Sequence, residues 1–153
     1  MKKRIVIILL FIITLVLAAF VILKKNTNKI DLSSKYYGSG EFIEATSEDL
    51  LEKKEENYVL FVYNNYCIFK VPCDEIFLSY MKKNKVDFLS MTFEEFKKTS
   101  FYDEVSYAPT VLVIKKNNIV AHLDAEKDED AIRYQNVDEF SKWINKYINR
   151  VVE

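Results

Sequence analysis

The feature that most constrains this chain is an apolar run from Ile5 to Leu23, interrupted only by the polar side chain of Thr14. A helix of this length rises about 28 Å, close to the roughly 30 Å hydrocarbon thickness of a bilayer. Because such a helix is apolar on every side, it needs lipid around it. The sequence therefore predicts one transmembrane anchor at residues 5–23, behind a basic foot at residues 1–4.

A cleaved signal peptide is the alternative for this run. The apolar part of a signal peptide usually spans about 7–15 residues and ends at a small-x-small site. Here the run is longer, and Ala18-Ala19 lie inside it, followed by four more apolar residues. These two observations favour an uncleaved anchor.

The orientation of the anchor depends on a small difference in charge. Basic side chains lie on both sides of the run, at Lys2, Lys3 and Arg4 before it and at Lys24, Lys25 and Lys29 after it. Positive charge tends to stay on the cytoplasmic side, and the basic cluster directly before the run favours a cytoplasmic N-terminus. We therefore expect a single-pass protein of the cell membrane with an extracytoplasmic C-terminal domain.

Residues 24–40 are polar, contain both glycines of the chain and show no periodicity, so they are predicted to be a linker. Residues 41–153 suffice for one domain. They contain 15 Lys and Arg against 22 Asp and Glu. An acidic domain without a basic stripe argues against nucleic acid as a partner. Its net charge also predicts that anionic lipid headgroups beyond the basic foot repel it.

Hydrophobic patterns and capping residues predict an α-β-α-β-α-β-β-α order within the domain. The predicted elements are a helix at 46–56, a strand at 58–63, a helix opened by Pro72, a strand at 86–91, a short helix capped by Thr92 and Glu95, a hairpin at 110–115 and 119–123, and a helix from Asn136 with an apolar stripe reaching Val151. This order predicts a mixed sheet with helices on both faces.

The order of elements and several local features resemble the thioredoxin family. These features are the apolar strand at 58–63, Asn64-Asn65-Tyr66 before Cys67, the helix at 74–83, and Ala108-Pro109-Thr110 before the hairpin. The resemblance covers most of residues 46–150. It implies an α/β fold, a thioredoxin-like three-layer mixed sheet with helices on both faces, and a cis proline at Pro109.

The resemblance also implies roles for individual residues. Carried over by order, Cys67 attacks a substrate disulfide and Cys73 resolves the mixed disulfide. Ala108 and Pro109 would hold an extended substrate, beside a groove lined by aromatic side chains such as Tyr66 and Tyr107. The chain departs from the family at three points: five residues separate its cysteines instead of two, Phe61 stands where the family has a buried acid, and no glycine follows Gly40, although family members often place glycine around the hairpin strands.

Helix electrostatics leaves the roles of the two cysteines open. Cys73 follows Pro72 and lies in the first turn of a predicted helix, where partial positive charge lowers the pKa of a thiol. By this reasoning Cys73 is the more acidic thiol, although family order makes Cys67 the attacking one. A structural disulfide between them, or two reduced and inert thiols, are the alternatives to redox activity.

Other polar residues give weaker signals. His122, the only histidine, is predicted to lie half-buried in the second hairpin strand. The acidic residues between Asp124 and Asp130 alternate as in calcium loops but lack the glycine of the sharp turn, so a solvated acidic loop is the better interpretation. We expect no metal and no cofactor.

The sequence thus favours a membrane-anchored protein that exchanges disulfides with exported proteins and is recharged by an unidentified redox partner. The rival hypothesis is a non-catalytic binding module. In that case the fold presents an aromatic groove to a partner protein, and the cysteines only form a structural disulfide that constrains a loop.

Overall fold

A computed structural model of the chain describes residues 29–64 and 72–149. The predicted anchor at 5–23, together with Tyr66 and Cys67, lies outside these residues. Within the two described ranges, no helix is long and apolar enough to cross a membrane.

The described residues form a five-stranded mixed sheet with the strand order β1-β3-β2-β4-β5. Strands β1, β2 and β3 are parallel, whereas β4 is antiparallel to β2, and β5 is antiparallel to β4. The strands are β1 (Phe42–Glu44), β2 (Asn57–Tyr63), β3 (Phe88–Thr92), β4 (Thr110–Lys115) and β5 (Asn118–His122). The predicted mixed sheet is confirmed, as is the hairpin that closes it.

Five α-helices lie among the strands in the described part of the chain. They are α1 (Ser47–Glu52), α2 (Cys73–Asn84), α3 (Phe93–Phe96), α4 (Asp128–Ala131) and α5 (Val137–Ile144). Capping residues explain their starts: Thr46 and Asp49 form a capping box on α1, Thr92 caps α3, and Asn136 accepts hydrogen bonds from two backbone N–H groups of α5.

Both faces of the sheet are buried. Phe61 of β2 points toward α2, where its ring lies 5.0 Å from that of Phe77, and the ring of Phe140 on α5 lies 4.6 Å from Phe77. Side chains alternate along a strand, so Leu60 and Leu89 point to the opposite face, and both are fully buried there. The layered thioredoxin-like architecture implied by the resemblance therefore agrees with the structure.

The N-terminal segment (29–40), predicted to belong to the linker, packs into the domain. Ile30, Leu32 and Tyr36 are buried, and the backbone of Ile30 bonds to Tyr147 and Asn149. Ser33 bonds to the start of β2 through its backbone N–H and its hydroxyl. The domain therefore begins before residue 41, because these apolar side chains complete the core at the end of the sheet where β2 begins.

Two further predictions need correction. Strand β1 was missed because three residues at a sheet edge, none of them fully buried, give no readable alternation. The last helix ends at Ile144 rather than continuing toward Val151, which lies outside the described residues. Ile148 remains buried, but as a β-bridge partner of Ile30 instead of as part of a helical stripe.

Candidate functional site

Cys73 lies at the first position of α2, directly after the N-cap residue Pro72. Proline suits the start of a helix because its missing N–H would have no partner there. The side chain of Cys73 is only 4% exposed. The thiol is therefore both close to the positive end of the helix dipole and largely covered. Such low exposure fits a resolving cysteine better than an attacking cysteine, which must reach a bulky substrate.

A pocket of about 280 Å³ opens beside Cys73. It is lined by Phe42, Phe61, Tyr63, Asn64, Cys73, Asp74 and Ser90. Three of these side chains are aromatic, and Phe42 comes from β1, the strand that the sequence pattern did not reveal. The pocket can therefore receive an apolar group next to the Cys73 sulfur.

Phe61 forms the floor of this pocket in the middle of β2. It is 4% exposed and contacts the rings of Phe42, Tyr63 and Phe77 at centroid distances of 5.4, 5.9 and 5.0 Å. The structure thus places a packed aromatic ring where the thioredoxin family has its buried acid. Proton transfer from the Cys73 thiol would consequently need another acceptor or water.

The Ala108–Pro109 peptide bond is cis, as the resemblance implied. Two side chains hold this turn: Asn64 donates from Nδ2 to the Ala108 carbonyl at 2.9 Å, and the Tyr134 hydroxyl donates to the Pro109 carbonyl at 3.1 Å. The same hydroxyl lies closer to the Leu123 carbonyl, at 2.9 Å, so the two carbonyls share its single hydrogen. Asn64 also lines the pocket beside Cys73, so the proline turn and the pocket share one wall.

Tyr134 is buried beneath the site, and its pKa lies well above the ordinary value. Burial is the main cause, followed by the negative charge of Asp130 and then by the negative charge that Cys73 carries when ionised. Tyr134 stays a neutral hydrogen-bond donor at physiological pH.

Tyr107 lies on the other side of the proline turn, half-buried, with its ring 6.1 Å from that of His122. Burial, reinforced by Asp124, Asp130 and Glu126, raises the pKa of Tyr107 to about 12. Its buried hydroxyl makes no hydrogen bond within the described residues. The pocket beside Cys73 does not include Tyr107, so the structure does not join these two aromatic features into one groove.

Of the predicted site residues, the structure brings Cys73 and the Ala108–Pro109 turn together through Asn64. Cys67 and Tyr66 lie outside the described residues. Sequence reasoning missed Asn64 and Tyr134 as site residues. Asn64 directly follows the central strand β2, a position where polar side chains often serve a site, whereas nothing local marks Tyr134.

The remaining candidates have structural roles. His122 is half-buried in β5, as predicted. In the acidic segment, Asp130 accepts a hydrogen bond from the backbone N–H of Asp124 and pairs with Arg133, and Asp124 accepts one from the N–H of Glu126. These carboxylates thus order their own loop.

No protein-family model and no curated protein sequence matches the chain. Among solved structures it is similar to thioredoxin NaTrxh from Nicotiana alata, at 21% identity and a TM-score of 0.47, over 76% of this chain and 99% of that one. Thioredoxin f from spinach chloroplast has 19% identity and a TM-score of 0.46, over 70% and 94%. Schistosoma mansoni thioredoxin has 20% identity and a TM-score of 0.47, over 72% and 99%.

Proposed function

We propose that this protein is a membrane-anchored, extracytoplasmic thiol–disulfide exchange protein that acts on exported proteins through Cys67 and Cys73. The observation that carries the proposal is the placement of Cys73. It lies covered at the N-terminus of α2, beside a pocket that shares the side chain of Asn64 with the cis-proline turn. A thiol in this position is suited to exchange because the helix dipole favours its thiolate.

The exchange is a pair of thiolate displacements. The Cys67 thiolate attacks one sulfur of a substrate disulfide, forms a mixed disulfide and releases the first substrate thiolate. The Cys73 thiolate then attacks the Cys67 sulfur, closes the Cys67–Cys73 disulfide and releases the second substrate thiolate. Two electrons pass to the substrate, and the reverse sequence oxidises a substrate dithiol. A redox partner restores the starting state of the pair.

The apolar run at residues 5–23, predicted to be a membrane anchor, supports the location in the proposal. A domain facing the extracytoplasmic side meets an oxidising space, in which oxidase and isomerase roles are favoured over a reductase role. A domain facing the cytoplasm would reverse this preference. A reporter fused to the C-terminus and active on only one side of the membrane tests the orientation.

Trapping of mixed disulfides tests the exchange itself. In the full-length chain, Cys73→Ser should accumulate mixed disulfides between Cys67 and exported proteins, visible as reducible bands on non-reducing gels. Cys67→Ser is the matched control and should accumulate few or none, because the covered Cys73 thiol meets substrates poorly. Absence of trapped species from Cys73→Ser, together with a reduction potential below about −300 mV, would rule out the enzymatic role.

Phe61 favours the second candidate function, a non-catalytic binding module. A packed aromatic ring replaces the acid that assists proton transfer, and aromatic side chains supply much of the pocket wall. In this case the cysteines form a structural disulfide, and the pocket receives an apolar side chain of a partner protein. Trapping by Cys67 with a reduction potential above that limit would exclude this candidate.

A further inference from the structure

Basic residues of the described domain are concentrated at one of its two ends, whereas most carboxylates lie elsewhere. Strand and helix directions define the two ends: the candidate site lies where β2 ends and α2 begins, and the opposite end is where β2 and β3 begin and α2 ends. We name that opposite end the basic end. It comprises residues 29–41, 52–57, 81–87, 115–118 and 145–149.

Hydrogen bonds gather these segments around the N-terminal segment. Residues 30–33 bond to Tyr147 and Asn149, which follow α5, and to the first residue of β2. Tyr37 bridges to Val86, and the N–H of Gly38 donates to the Lys85 carbonyl. Lys115 pairs with Asn57 in the sheet register. Five stretches that are distant in sequence therefore form one surface.

Ten of the fifteen basic residues in the described ranges lie on the basic end. They are Lys29, Lys35, Lys53, Lys54, Lys82, Lys83, Lys85, Lys115, Lys116 and Lys146. Six carboxylates share this surface, and one of them, Asp87, is buried. The rest of the described domain has only five basic residues against sixteen carboxylates. A net negative domain thus has a net positive end.

Most of these lysines are available to a partner. All except the half-buried Lys53 are exposed. Lys35 is paired with Glu56, and Lys116 is near Glu55 at 3.8 Å. Lys82, Lys83 and Lys115 form no ion pair with any residue in the described ranges. Lys82 and Lys83 lie in the last turn of α2, where cations stabilise the C-terminal end of a helix. This effect does not account for the lysines on the other segments of the basic end.

We propose that the basic end of the domain docks on the anionic lipid headgroups of the membrane that holds the anchor. This inference rests on the proposed anchoring. Ile30, the first buried residue of the described ranges, follows the end of the apolar run at Leu23 by seven residues, a reach of at most about 25 Å. The basic end is therefore held near the membrane, and its charge complements anionic headgroups.

Docking in this way orients the candidate site. Helix α2 has twelve residues: it begins at Cys73 beside the pocket and ends at Asn84 on the basic end. With a rise of about 1.5 Å per residue, the helix separates the site from the lipid surface by about 18 Å. The pocket and the cis-proline turn then face the aqueous space and meet soluble exported proteins.

The single tryptophan of the chain allows a direct test. Trp143 is 4% exposed near the end of α5, five residues before Ile148, which bridges to Ile30. We would reconstitute the full chain in lipid-only bicelles with dansyl-labelled headgroups and measure energy transfer from Trp143. Transfer should be greater with phosphatidylglycerol present than in pure phosphatidylcholine. This increase should vanish at about 1 M NaCl, where the screening length falls to about 3 Å.

Matched variants separate docking from net charge. Lys82→Gln, Lys83→Gln and Lys115→Gln together should abolish the increase that phosphatidylglycerol causes. The control triple Lys97→Gln, Lys98→Gln and Lys127→Gln removes the same charge outside the basic end and should retain the increase. Equal transfer in the two lipids, as expected if the basic end served an acidic protein partner, would overturn the proposal. An equal loss of the phosphatidylglycerol-dependent increase in both triple variants would also overturn it.

Failure of docking can be distinguished from failure of the proposed function. Flotation of the full chain with lipid reports on the anchor, and trapping by Cys73→Ser reports on disulfide exchange. Neither depends on the charge of the headgroups. Far-ultraviolet circular dichroism of each triple variant confirms that its fold is unchanged.

Discussion

The side chain of Asn64 donates a hydrogen bond of 2.9 Å to the backbone carbonyl of Ala108. This bond joins the end of the central strand β2 to the residue before the cis proline, across 44 positions of sequence. A carbonyl oxygen has two lone pairs, so Ala108 can still accept a second hydrogen bond from a bound peptide. Asn64 thus links the wall of the Cys73 pocket to the turn that would hold a substrate.

Asn64→Asp should disturb this link with almost no change in shape. A carboxylate cannot donate to the Ala108 carbonyl and places negative charge against it, so we expect a loss of about 1 kcal/mol in stability. Thiol–disulfide exchange should slow about tenfold, because small misplacements in a site are costly. Stopped-flow measurement of exchange with a model disulfide checks the rate. Asn118→Asp, the same change at the exposed hairpin turn, should leave the rate unaltered.

Tyr134→Phe should destabilise the domain by about 1–2 kcal/mol, because the Pro109 carbonyl and the buried Leu123 carbonyl lose the hydroxyl donor that they share. Tyr58→Phe is the matched control. The buried Tyr58 hydroxyl has no hydrogen-bond partner in the described part of the chain, so its removal should be neutral or stabilising by up to about 1 kcal/mol. Denaturant unfolding followed by Trp143 fluorescence compares the two. Equal losses in both variants would contradict the structural assignment of Tyr134.

Gly40→Ala tests whether the N-terminal segment belongs to the domain. Gly40 has a φ of +83°, and an added Cβ would lie 2.5 Å from the backbone of Lys82. Its N–H also donates to the Asp87 carboxylate at 2.8 Å. We expect a loss of about 2–4 kcal/mol in the free energy of unfolding. Ser39→Ala, at an exposed neighbour, should have little effect, and a neutral Gly40→Ala would show that residue 40 is a loose linker.

Glu56 should make stability depend on pH in the acid range. Burial by itself raises its pKa, but hydrogen bonds from Lys35 and Tyr36 outweigh this and hold it below the ordinary 4.5. A lowered folded-state pKa stabilises the protein above the unfolded value, and this contribution is lost as pH falls through the folded value.

The stability difference between wild type and Glu56→Gln should therefore be greatest above about pH 5 and shrink below the ordinary pKa of 4.5. Unfolding curves at several pH values measure it. Glu55→Gln is the control, since the Glu55 side chain is 88% exposed and lies 3.8 Å from Lys116. A pH-independent difference for Glu56→Gln would contradict the assignment.

The amino-acid sequence by itself determined the central elements of the domain. The continuous apolar run of β2, the Pro72 start of α2, the caps at Thr46, Thr92 and Asn136, and the hairpin all appear where local patterns placed them. These features depend on side chains within a few positions of one another, so hydrophobic periodicity and capping hydrogen bonds are readable from contiguous residues.

Only the tertiary structure decided which distant residues meet. It drew residues 29–40 into the core, added the edge strand β1, and brought Asn64 and Tyr134 to the proline turn. It also converted an acidic composition into a domain with a basic end, which a net charge cannot show. The physical reason is that strand order and direction set these contacts, and those depend on packing among segments far apart in the chain.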